Sequence, residues 1–319
     1  MSDAVFKSGF AKDIKDYVDF KCSLGYSSST YVNAMRRFDA FLCNCYPQST
    51  VISEEIVNRW FEKKPSENTN GHIRRMITLK GFLSFLKTRN PDTYTIPDGI
   101  IGQYKPFLPY LYRDDELDSF FLSADTLPVH PIAKNREIIC PVIFRMLYCC
   151  GLRPQEPLRL KCCDVNLTDG TLYIADSKVH KDRVVAMSED LRNLCVKYND
   201  VMEQRIPNRI YFFQRPDGRQ YDALWLQRTF HLCLKNSDLV FTRKPPRVYD
   251  WRHNFATRII QIWLREGLDI AVMLPRLSTY MGHTSLEDTA YYIHLVPEHF
   301  ETNHMNVWNG IPEVPLYED

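Results

Sequence analysis

The sequence predicts a mainly helical protein of two domains that contains one small β-hairpin. Apolar residues recur at helical spacing through residues 6–88, and a stretch rich in Pro, Tyr and Gly follows at 91–112. Two short strand-like runs, joined by a polar turn, lie within residues 171–187. The chain has 319 residues, of which 45% are hydrophobic and 25% charged. This is ordinary globular composition, with enough apolar material for a core in each domain.

Three helices are predicted before residue 62. The first carries an apolar stripe of residues spaced by four, namely Phe6, Phe10, Ile14 and Val18. The second begins at Ser28-Ser29-Thr30, which offers N-caps, and places Met35, Phe38 and Leu42 on one face. The third is short and runs from Glu54 to Phe61.

A fourth helix, residues 72–88, is basic. No acidic residue occurs between Glu67 and Asp92. Its charged side chains are Arg74, Arg75, Lys80 and Lys87, while Ile73, Ile77, Phe82 and Phe85 are expected to face a core. A helix face of one sign repels itself unless an anion lies against it, and DNA phosphate is the obvious candidate. The alternative is a solvated basic face.

The stretch at 91–112 is the predicted linker, because its four X-Pro steps cannot lie inside a helix. We place the boundary near residue 106, giving domains 1–106 and 107–319. The first carries 15 Lys and Arg against 11 Asp and Glu, and the second 25 against 28. The net charge of +1 therefore divides into +4 and −3. Any basic surface on the second domain must be local.

The second domain is predicted to be mixed α/β. A helix opens at Arg113 with acidic residues in its first turn, as the helix dipole favours, and an apolar helix spans 136–150. The hairpin strands are Thr171 to Ala175 and Arg183 to Met187. Residues 190–294 are predicted to be mostly helix.

The composition excludes several classes of protein. The most apolar run, Ile138 to Leu152, carries Arg145 and is too short to cross a membrane, and the N-terminus has no apolar signal core. We expect a cytoplasmic protein. Ten cysteines occur without zinc-site spacing, and we expect them to be reduced and mostly buried. No metal site and no cofactor are predicted.

Four clusters along the second domain carry residues suited to phosphoryl transfer. They are Gly151-Leu152-Arg153-Pro154-Gln155-Glu156, the hairpin turn with Lys178, the run from Tyr249 to Thr257, and Met281-Gly282-His283 followed nine residues later by Tyr292. A phosphodiester under attack spreads negative charge over its non-bridging oxygens, and arginine meets such oxygens with two parallel donors. Arg153 and Arg252 are the candidates for this role.

These clusters resemble the boxes of the tyrosine recombinases, which include Xer-type recombinases, phage integrases and transposon recombinases. The first cluster matches the family's Gly-Leu-Arg-x-x-Glu box. Tyr249 to Thr257 matches His-x-x-Arg-His-x-Phe-Ala-Thr except at the first position, and Met281 to His294 matches Leu-Gly-His with its Tyr-x-His. The match covers the whole second domain in the correct order, and residues 1–106 resemble the family's helical, SAM-like core-binding domain.

The resemblance implies a role for each matched residue. Tyr292 would be the nucleophile that forms a 3′-phosphotyrosine, with Tyr291 as the rival. Arg153 and Arg252 would clamp the phosphate, Glu156 would orient Arg153, and His283 would bind a non-bridging oxygen. Lys178 would be the general acid, although His180 and Lys181 lie close enough in sequence to compete. Lys181 is otherwise a DNA-contact candidate.

Tyr249 departs from the family pattern, because the second box normally begins with His. A phenol is a poor base at neutral pH but a good hydrogen-bond donor. The group that removes the proton from Tyr292 is therefore left open. The resemblance places His253 in a structural role behind Arg252.

The expected activity is site-specific cutting and rejoining of DNA without metal or ATP. The two domains would form a C-clamp on double-stranded DNA with inverted-repeat-like sites, and a homotetramer would act on two synapsed sites. Two alternatives stay open: a catalytically impaired DNA-bridging paralogue, and a topoisomerase of type IB. The sequence leaves open whether the role is chromosome resolution, phage integration or transposition.

Overall fold

The computed structural model describes residues 5–105, 107–175, 182–241 and 245–296. The chain divides into two compact units, residues 1–107 and 108–319. The division lies one residue from the predicted boundary. The described residues are mainly helical with one small sheet, which confirms the predicted fold class.

The first unit is helical throughout its described elements. Its helices are α1 (Ala11–Ser23), α2 (Ser28–Cys45), α3 (Glu54–Phe61) and α4 (Thr69–Lys87). Ser53 caps α3 and Asn68 caps α4, each accepting a hydrogen bond from a backbone nitrogen three residues on. The predicted cap within Ser28–Thr30 is wrong, because α2 already includes these residues and begins after Ser27.

The core of this unit is aromatic. Phe38 of α2 packs edge-on against Trp60 of α3 and against Phe82 of α4, with ring centroids 5.1 and 6.2 Å apart. Tyr17 of α1 contacts the same Phe82 ring. The predicted core position Ile77 is wrong: its side chain is 45% exposed, because Met76 and Leu79 occupy the buried side of α4 at this turn.

The second unit contains a three-stranded antiparallel sheet and helices. In chain order the elements are α5 (Asp114–Asp125), α6 (Arg136–Cys150), α7 (Glu156–Arg159), β1 (Val165–Asn166), β2 (Thr171–Ile174), β3 (Arg183–Ala186), α8 (Glu189–Arg205), α9 (Ala223–Asn236), α10 (Asp250–Arg265), α11 (Ile270–Met281) and α12 (Glu287–Ala290). Short 3₁₀ helices span Cys162–Asp164 and Tyr291–Leu295.

The sheet has the order β1-β2-β3, and Leu172 lies opposite Val185. The hairpin was predicted at these residues, but β1 was not. A strand of two residues is too short to produce a periodic signal. The turn between β2 and β3 falls outside the described residues.

Trp251 organises the main core of this unit. It is fully buried at the start of α10, and its ring lies 4.7 Å from Phe120, 5.2 Å from Phe144 and 5.2 Å from Phe230. These partners belong to α5, α6 and α9, so three helices pack on one indole. The residue that follows it in sequence, Arg252, is thereby fixed in place.

Among the ten cysteines, which are free, Cys140, Cys150, Cys195 and Cys233 are buried and the others are partly or fully exposed, so the prediction of mostly buried thiols is wrong. Surface positions such as Cys45 tolerate a thiol without needing burial.

Within the described ranges, no helix has both the length and the apolarity needed to cross a membrane.

Candidate active site

Arg153 is held by the glutamate three residues beyond it. Glu156 begins α7, and its carboxylate accepts hydrogen bonds from the Arg153 backbone nitrogen at 2.7 Å and from Nη1 of its side chain at 3.0 Å. The other terminal nitrogen, Nη2, donates to the carbonyl oxygen of Gly282 at 2.7 Å. The guanidinium group is therefore oriented before any ligand arrives, which is the arrangement that electrostatic catalysis requires.

A second arginine, Arg183 at the start of β3, binds the same glutamate. Its Nη1 and Nη2 donate to the two carboxylate oxygens of Glu156 at 2.9 and 2.7 Å, and its Nε donates to the carbonyl oxygen of Tyr280 at 3.0 Å. Burial raises the pKa of Glu156, but the hydrogen bonds and charge of Arg183 outweigh it and leave that pKa below its usual value. Glu156 is thus a largely buried carboxylate between two cations.

Arg252 lies where two helices end. Its side chain is fully buried, and Nη1 and Nη2 each donate at 2.6 Å, to the carbonyl oxygens of Gly151 and Met281. Gly151 follows the last turn of α6, and Met281 ends α11. Carbonyls at helix ends lack partners inside the helix and carry partial negative charge, so they stabilise a cation. Among the described residues, Nε of Arg252 has no hydrogen-bond partner.

Burial lowers the pKa of Arg252, and the charge of Arg153 lowers it further. A guanidinium nevertheless remains protonated at any working pH. The site therefore concentrates positive charge that the surrounding carbonyls only partly offset.

Tyr292 packs beside this cation. It lies in the 3₁₀ helix Tyr291–Leu295 and is 3% exposed, with its ring 6.0 Å from the ring of His283 and 5.6 Å from that of His253. Burial raises the pKa of Tyr292 to about 12, although the charge of Arg252 opposes this. The phenol is therefore protonated at neutral pH, and its use as a nucleophile requires proton removal.

His283 is anchored by a buried threonine. Its Nδ1 lies 2.7 Å from Oγ1 of Thr289, which is itself fully buried in α12. Burial, together with the charges of Arg252 and Arg153, lowers the pKa of His283 to about 3. Its imidazole is neutral at neutral pH, and the hydrogen bond to Thr289 fixes the ring.

Tyr249 and His253 occupy one turn at the start of α10. The Tyr249 ring lies 5.2 Å from that of His253 and is 38% exposed. Burial lowers the pKa of His253 to about 4, and its Nδ1 is buried with no hydrogen-bond partner among the described residues. Tyr291 is half-buried, with its ring 6.3 Å from His253 and 5.8 Å from Tyr292.

A cleft of about 560 Å³ lies beside Arg153. Tyr249 lines it from α10 and Tyr173 from β2, while Gln155, Arg159 and Lys161 contribute polar and basic groups. The half-exposed Tyr249 therefore faces the same space as Arg153 and Glu156.

The other predicted site residues belong to the hairpin turn and to α4. Lys178, His180 and Lys181 lie outside the described residues. On α4, Arg74 is exposed, Lys80 forms an exposed ion pair with Asp98 at 2.6 Å, and Lys87 is hydrogen-bonded to Thr95.

Arg75 is bound internally. Its guanidinium forms a bidentate pair with the Glu67 carboxylate and donates to the carbonyl oxygens of Trp60 and Glu62. Its side chain is 10% exposed. The structure therefore contradicts its placement on an outward-facing basic surface. Its partner Glu67 lies just before α4, and nothing in the helical pattern of residues 72–88 predicts that pairing.

Sequence reasoning missed Arg183 and Thr289. Arg183 shares a strand face with the buried Val185, and a charge on an inward face must be paired. Because Val184 and Val185 are both apolar, the sequence does not show which face is inward. Nothing in the sequence around Thr289 predicts its contact with His283.

Among the described residues, no group of three His, Cys, Asp or Glu side chains is arranged to hold a metal ion.

Comparison with known proteins places the chain in a family. Residues 114–299 match the family model described as "Phage integrase family". A Sinorhizobium fredii protein named as a putative integrase/recombinase, y4rB, is 26% identical over 302 residues, which cover 91% of this chain and 94% of the relative.

Solved structures agree on the fold. XerH site-specific recombinase bound to a palindromic difH substrate matches with a TM-score of 0.66 at 18% identity, covering 86% of this chain and 78% of that one. A lambda integrase tetramer bound to a Holliday junction matches with a TM-score of 0.61 at 15% identity, covering 86% and 77%. Because the family model matches more than half of this chain, the chain belongs to the phage integrase family, the tyrosine recombinases that its sequence resembles.

Proposed function

We propose that this tyrosine recombinase cuts and rejoins DNA through Tyr292, which becomes linked to the 3′ phosphate at the break. The observation that carries the proposal is the convergence of Arg153, Arg252, His283 and Tyr292, supplied by separate parts of the chain, around the ends of α6 and α11. The Tyr292 phenol loses its proton to a base as its oxygen attacks phosphorus, and the bond to the 5′ oxygen breaks as that oxygen gains a proton. The phosphotyrosine keeps the energy of the broken bond, so resealing needs no ATP.

The two arginines stabilise the charge that develops on the phosphate. Arg153 and Arg252 each use their Nη1 and Nη2 nitrogens on protein acceptors and still carry further N–H donors. Fixed cations in a site of low dielectric stabilise a dianionic transition state strongly. In this proposal they supply the charge that a metal ion provides in other phosphoryl transferases.

One proton transfer and two hydrogen-bonding or positioning roles are assigned to three further side chains. Lys178 protonates the leaving 5′ oxygen. His283, fixed through Nδ1 by Thr289, offers Nε2 to a non-bridging oxygen. Tyr249, exposed toward the cleft beside Arg153, donates a hydrogen bond to the phosphate or positions Tyr292.

DNA must gain access to this site, because Arg252 is fully buried and Tyr292 is 3% exposed. We infer that DNA binding uncovers both side chains. The short 3₁₀ helix that carries Tyr292 is the element whose movement exposes the nucleophile with the least disturbance of the core around Trp251.

The first unit contributes DNA contacts through α2 and α4. A groove of about 550 Å³ between these helices is lined by Asn33, Arg37, Arg74 and Thr78. Lys80 adds to this surface, since an exposed ion pair such as its bond with Asp98 contributes little to stability and is easily exchanged for a phosphate. Lys87 and Lys181 remain proposed contacts. Arg75 also lines this groove, but it is not proposed as a contact because its guanidinium is bound to Glu67.

The partner is double-stranded DNA with inverted-repeat-like sites, and a homotetramer acts on two synapsed sites. Recombination exchanges four strands, and each strand needs one nucleophile, so four protomers are required. The lambda integrase structure, a tetramer on a Holliday junction, supports this number by its similarity of fold.

A plasmid assay tests the proposed function. Supercoiled plasmids carrying two copies of the DNA that flanks the gene are incubated with the protein. Exchange of the segments between the two copies is the expected result. Relaxation without exchange indicates a topoisomerase of type IB, and bridging of two sites without strand cleavage indicates a DNA-bridging paralogue.

A further inference from the structure

Arg183 stands outside the residues assigned above, yet it makes the strongest contacts with Glu156. It forms a bidentate pair with both carboxylate oxygens, whereas Arg153 contributes one side-chain bond to that carboxylate. Its side chain is 7% exposed, and its third bond reaches the Tyr280 carbonyl at the end of α11. A bidentate arginine–carboxylate pair is both strong and directional.

The charges around Glu156 explain why a second arginine is needed. Glu156 alone beside Arg153 would form a neutral pair, and the carboxylate would draw the guanidinium charge away from the phosphate. With Arg183 present, two cations share one anion and the group keeps a net charge of +1. Glu156 can then orient Arg153 without cancelling its charge.

The position of Arg183 also connects two parts of the site. It begins β3, five residues after Lys178, and it is tied to α11 just before Gly282, whose carbonyl binds Arg153. Gly282 has φ +65°, and a Cβ there would lie 3.2 Å from Cδ of Arg183. The glycine thus leaves room for the arginine to lie against the turn.

We infer that Arg183 is a positioning residue that neutralises Glu156, so that Arg153 presents its full positive charge to the scissile phosphate. The inference rests on the proposed function, since it concerns the same phosphate site. Arg183 acts through Glu156 and Arg153 and does not itself contact the substrate.

The test compares single-turnover cleavage of a nicked duplex, carrying the DNA that flanks the gene, by the 319-residue chain and its variants. Arg183→Gln should bind the duplex within about threefold of the wild type but cleave it roughly 100-fold more slowly, the loss expected for weakening one oxyanion-stabilising group. Adding Glu156→Gln to this variant removes the anion that needs neutralising. The double variant should recover at least about tenfold of the rate, a coupling that only interacting residues show.

Arg145→Gln is the matched control. Arg145 forms a similar bidentate pair with Asp125, at 2.6 and 2.7 Å, but it is not part of the site. This variant should cleave at the wild-type rate. Wild-type protein and this control also show whether the proposed function holds, independently of Arg183: absence of any covalent adduct in both contradicts that function, whereas a normal adduct with an unaffected Arg183→Gln contradicts only the present inference.

A purely structural role predicts a different pattern. The double variant would then be no faster than Arg183→Gln, because two buried contacts are lost, and this result would overturn the inference. If Arg183→Gln does not fold, Arg183→Lys carries the test. It keeps the charge and should cleave within about tenfold of the wild type; a folded Lys variant slower by more than about 100-fold would show that charge is not what Arg183 supplies.

Discussion

At the residue scale, the site is built from arginines whose orientation is fixed by protein acceptors. Arg153 is bound to a carboxylate and a carbonyl, and Arg252 to two carbonyls at helix ends. Each guanidinium has five N–H donors. The donors that bind protein acceptors fix its orientation, and the remaining donors can bind a ligand. Removing one partner of such a buried cation leaves a charge unpaired, which is more costly than losing a surface ion pair.

Tyr249 is the residue where this chain departs from the family pattern. Its hydroxyl is expected to donate a hydrogen bond in the transition state, so Tyr249→Phe should cleave roughly 10- to 1000-fold more slowly in a single-turnover assay. Tyr249→His should keep substantial activity and add a pH dependence near 6.5, where imidazole titrates. A wild-type rate for Tyr249→Phe, with damage by His, would mean that the ring only packs.

Lys178 is expected to protonate the leaving oxygen. Lys178→Ala should therefore cleave ordinary DNA slowly but regain speed on a substrate whose 5′ leaving atom is sulfur, because a thiolate leaves without a proton. The two substrates are compared in parallel, with Lys181→Ala as the control for a neighbouring contact. Equal defects on oxygen and sulfur would remove Lys178 from this role.

Much of the site was predictable from the sequence, because arginine, histidine and tyrosine in fixed motifs have few other uses. The hydrogen bonds that connect the motifs were not predictable. Arg183 and Thr289 act on Glu156 and His283 across the fold, and no local spacing announces such contacts. Arg75 shows the opposite error: the sequence predicts an outward-facing basic side chain, but its guanidinium is bound to Glu67 within the unit.

At the scale of secondary structure elements, the site depends on how two helices end. Both α6 and α11 terminate in a glycine with positive φ, Gly151 at +59° and Gly282 at +65°. Glycine adopts this conformation without the steric cost that other residues meet. The turn it makes brings the last carbonyls of each helix onto Arg252.

Replacing Gly151 tests this arrangement. A Cβ at Gly151 would lie 2.4 Å from Cδ1 of Phe255, so Gly151→Ala combines backbone strain with overpacking and should destabilise the protein by about 3 kcal/mol. Gly218→Ala is the control, since Gly218 also has positive φ but open space around it. It should cost about 1 kcal/mol. Urea unfolding measures both, and equal midpoints would contradict the account.

Several elements followed directly from the sequence. The helices α3 and α6 begin and end at their predicted bounds, α5 begins one residue after its predicted opening at Arg113, and the hairpin strands lie within the two predicted strand-like runs. The two-residue β1 and the exposed Ile77 were missed or misplaced, because short elements and single helix positions are decided by tertiary packing.

At the scale of the whole molecule, the proposed function divides the tasks of binding and chemistry between the two units. The catalytic candidates belong to the second unit, and the groove between α2 and α4 belongs to the first. Phosphate contacts supply most of the affinity for DNA and do not depend on the cleavage chemistry. Binding and catalysis should therefore be separable by mutation.

The C-terminal segment is expected to act between protomers. It lies outside the described residues, and its sequence carries Phe300, Trp308 and Leu316. Such apolar side chains need a partner surface. Truncation after residue 296 should weaken the pairing of two DNA sites, measured by ultracentrifugation, more than it weakens binding to one site, measured by gel shift. Unchanged assembly would refute this role.

The covalent link between protein and DNA tests the central claim most directly. The protein is trapped on a nicked duplex from which the cleaved strand diffuses away, and the peptide that carries the nucleotide is identified by mass spectrometry. We predict that the adduct lies on Tyr292, and that Tyr292→Phe binds the duplex normally but forms none, since only the phenol oxygen is removed. An adduct on Tyr291, or one that persists in Tyr292→Phe, would contradict the account.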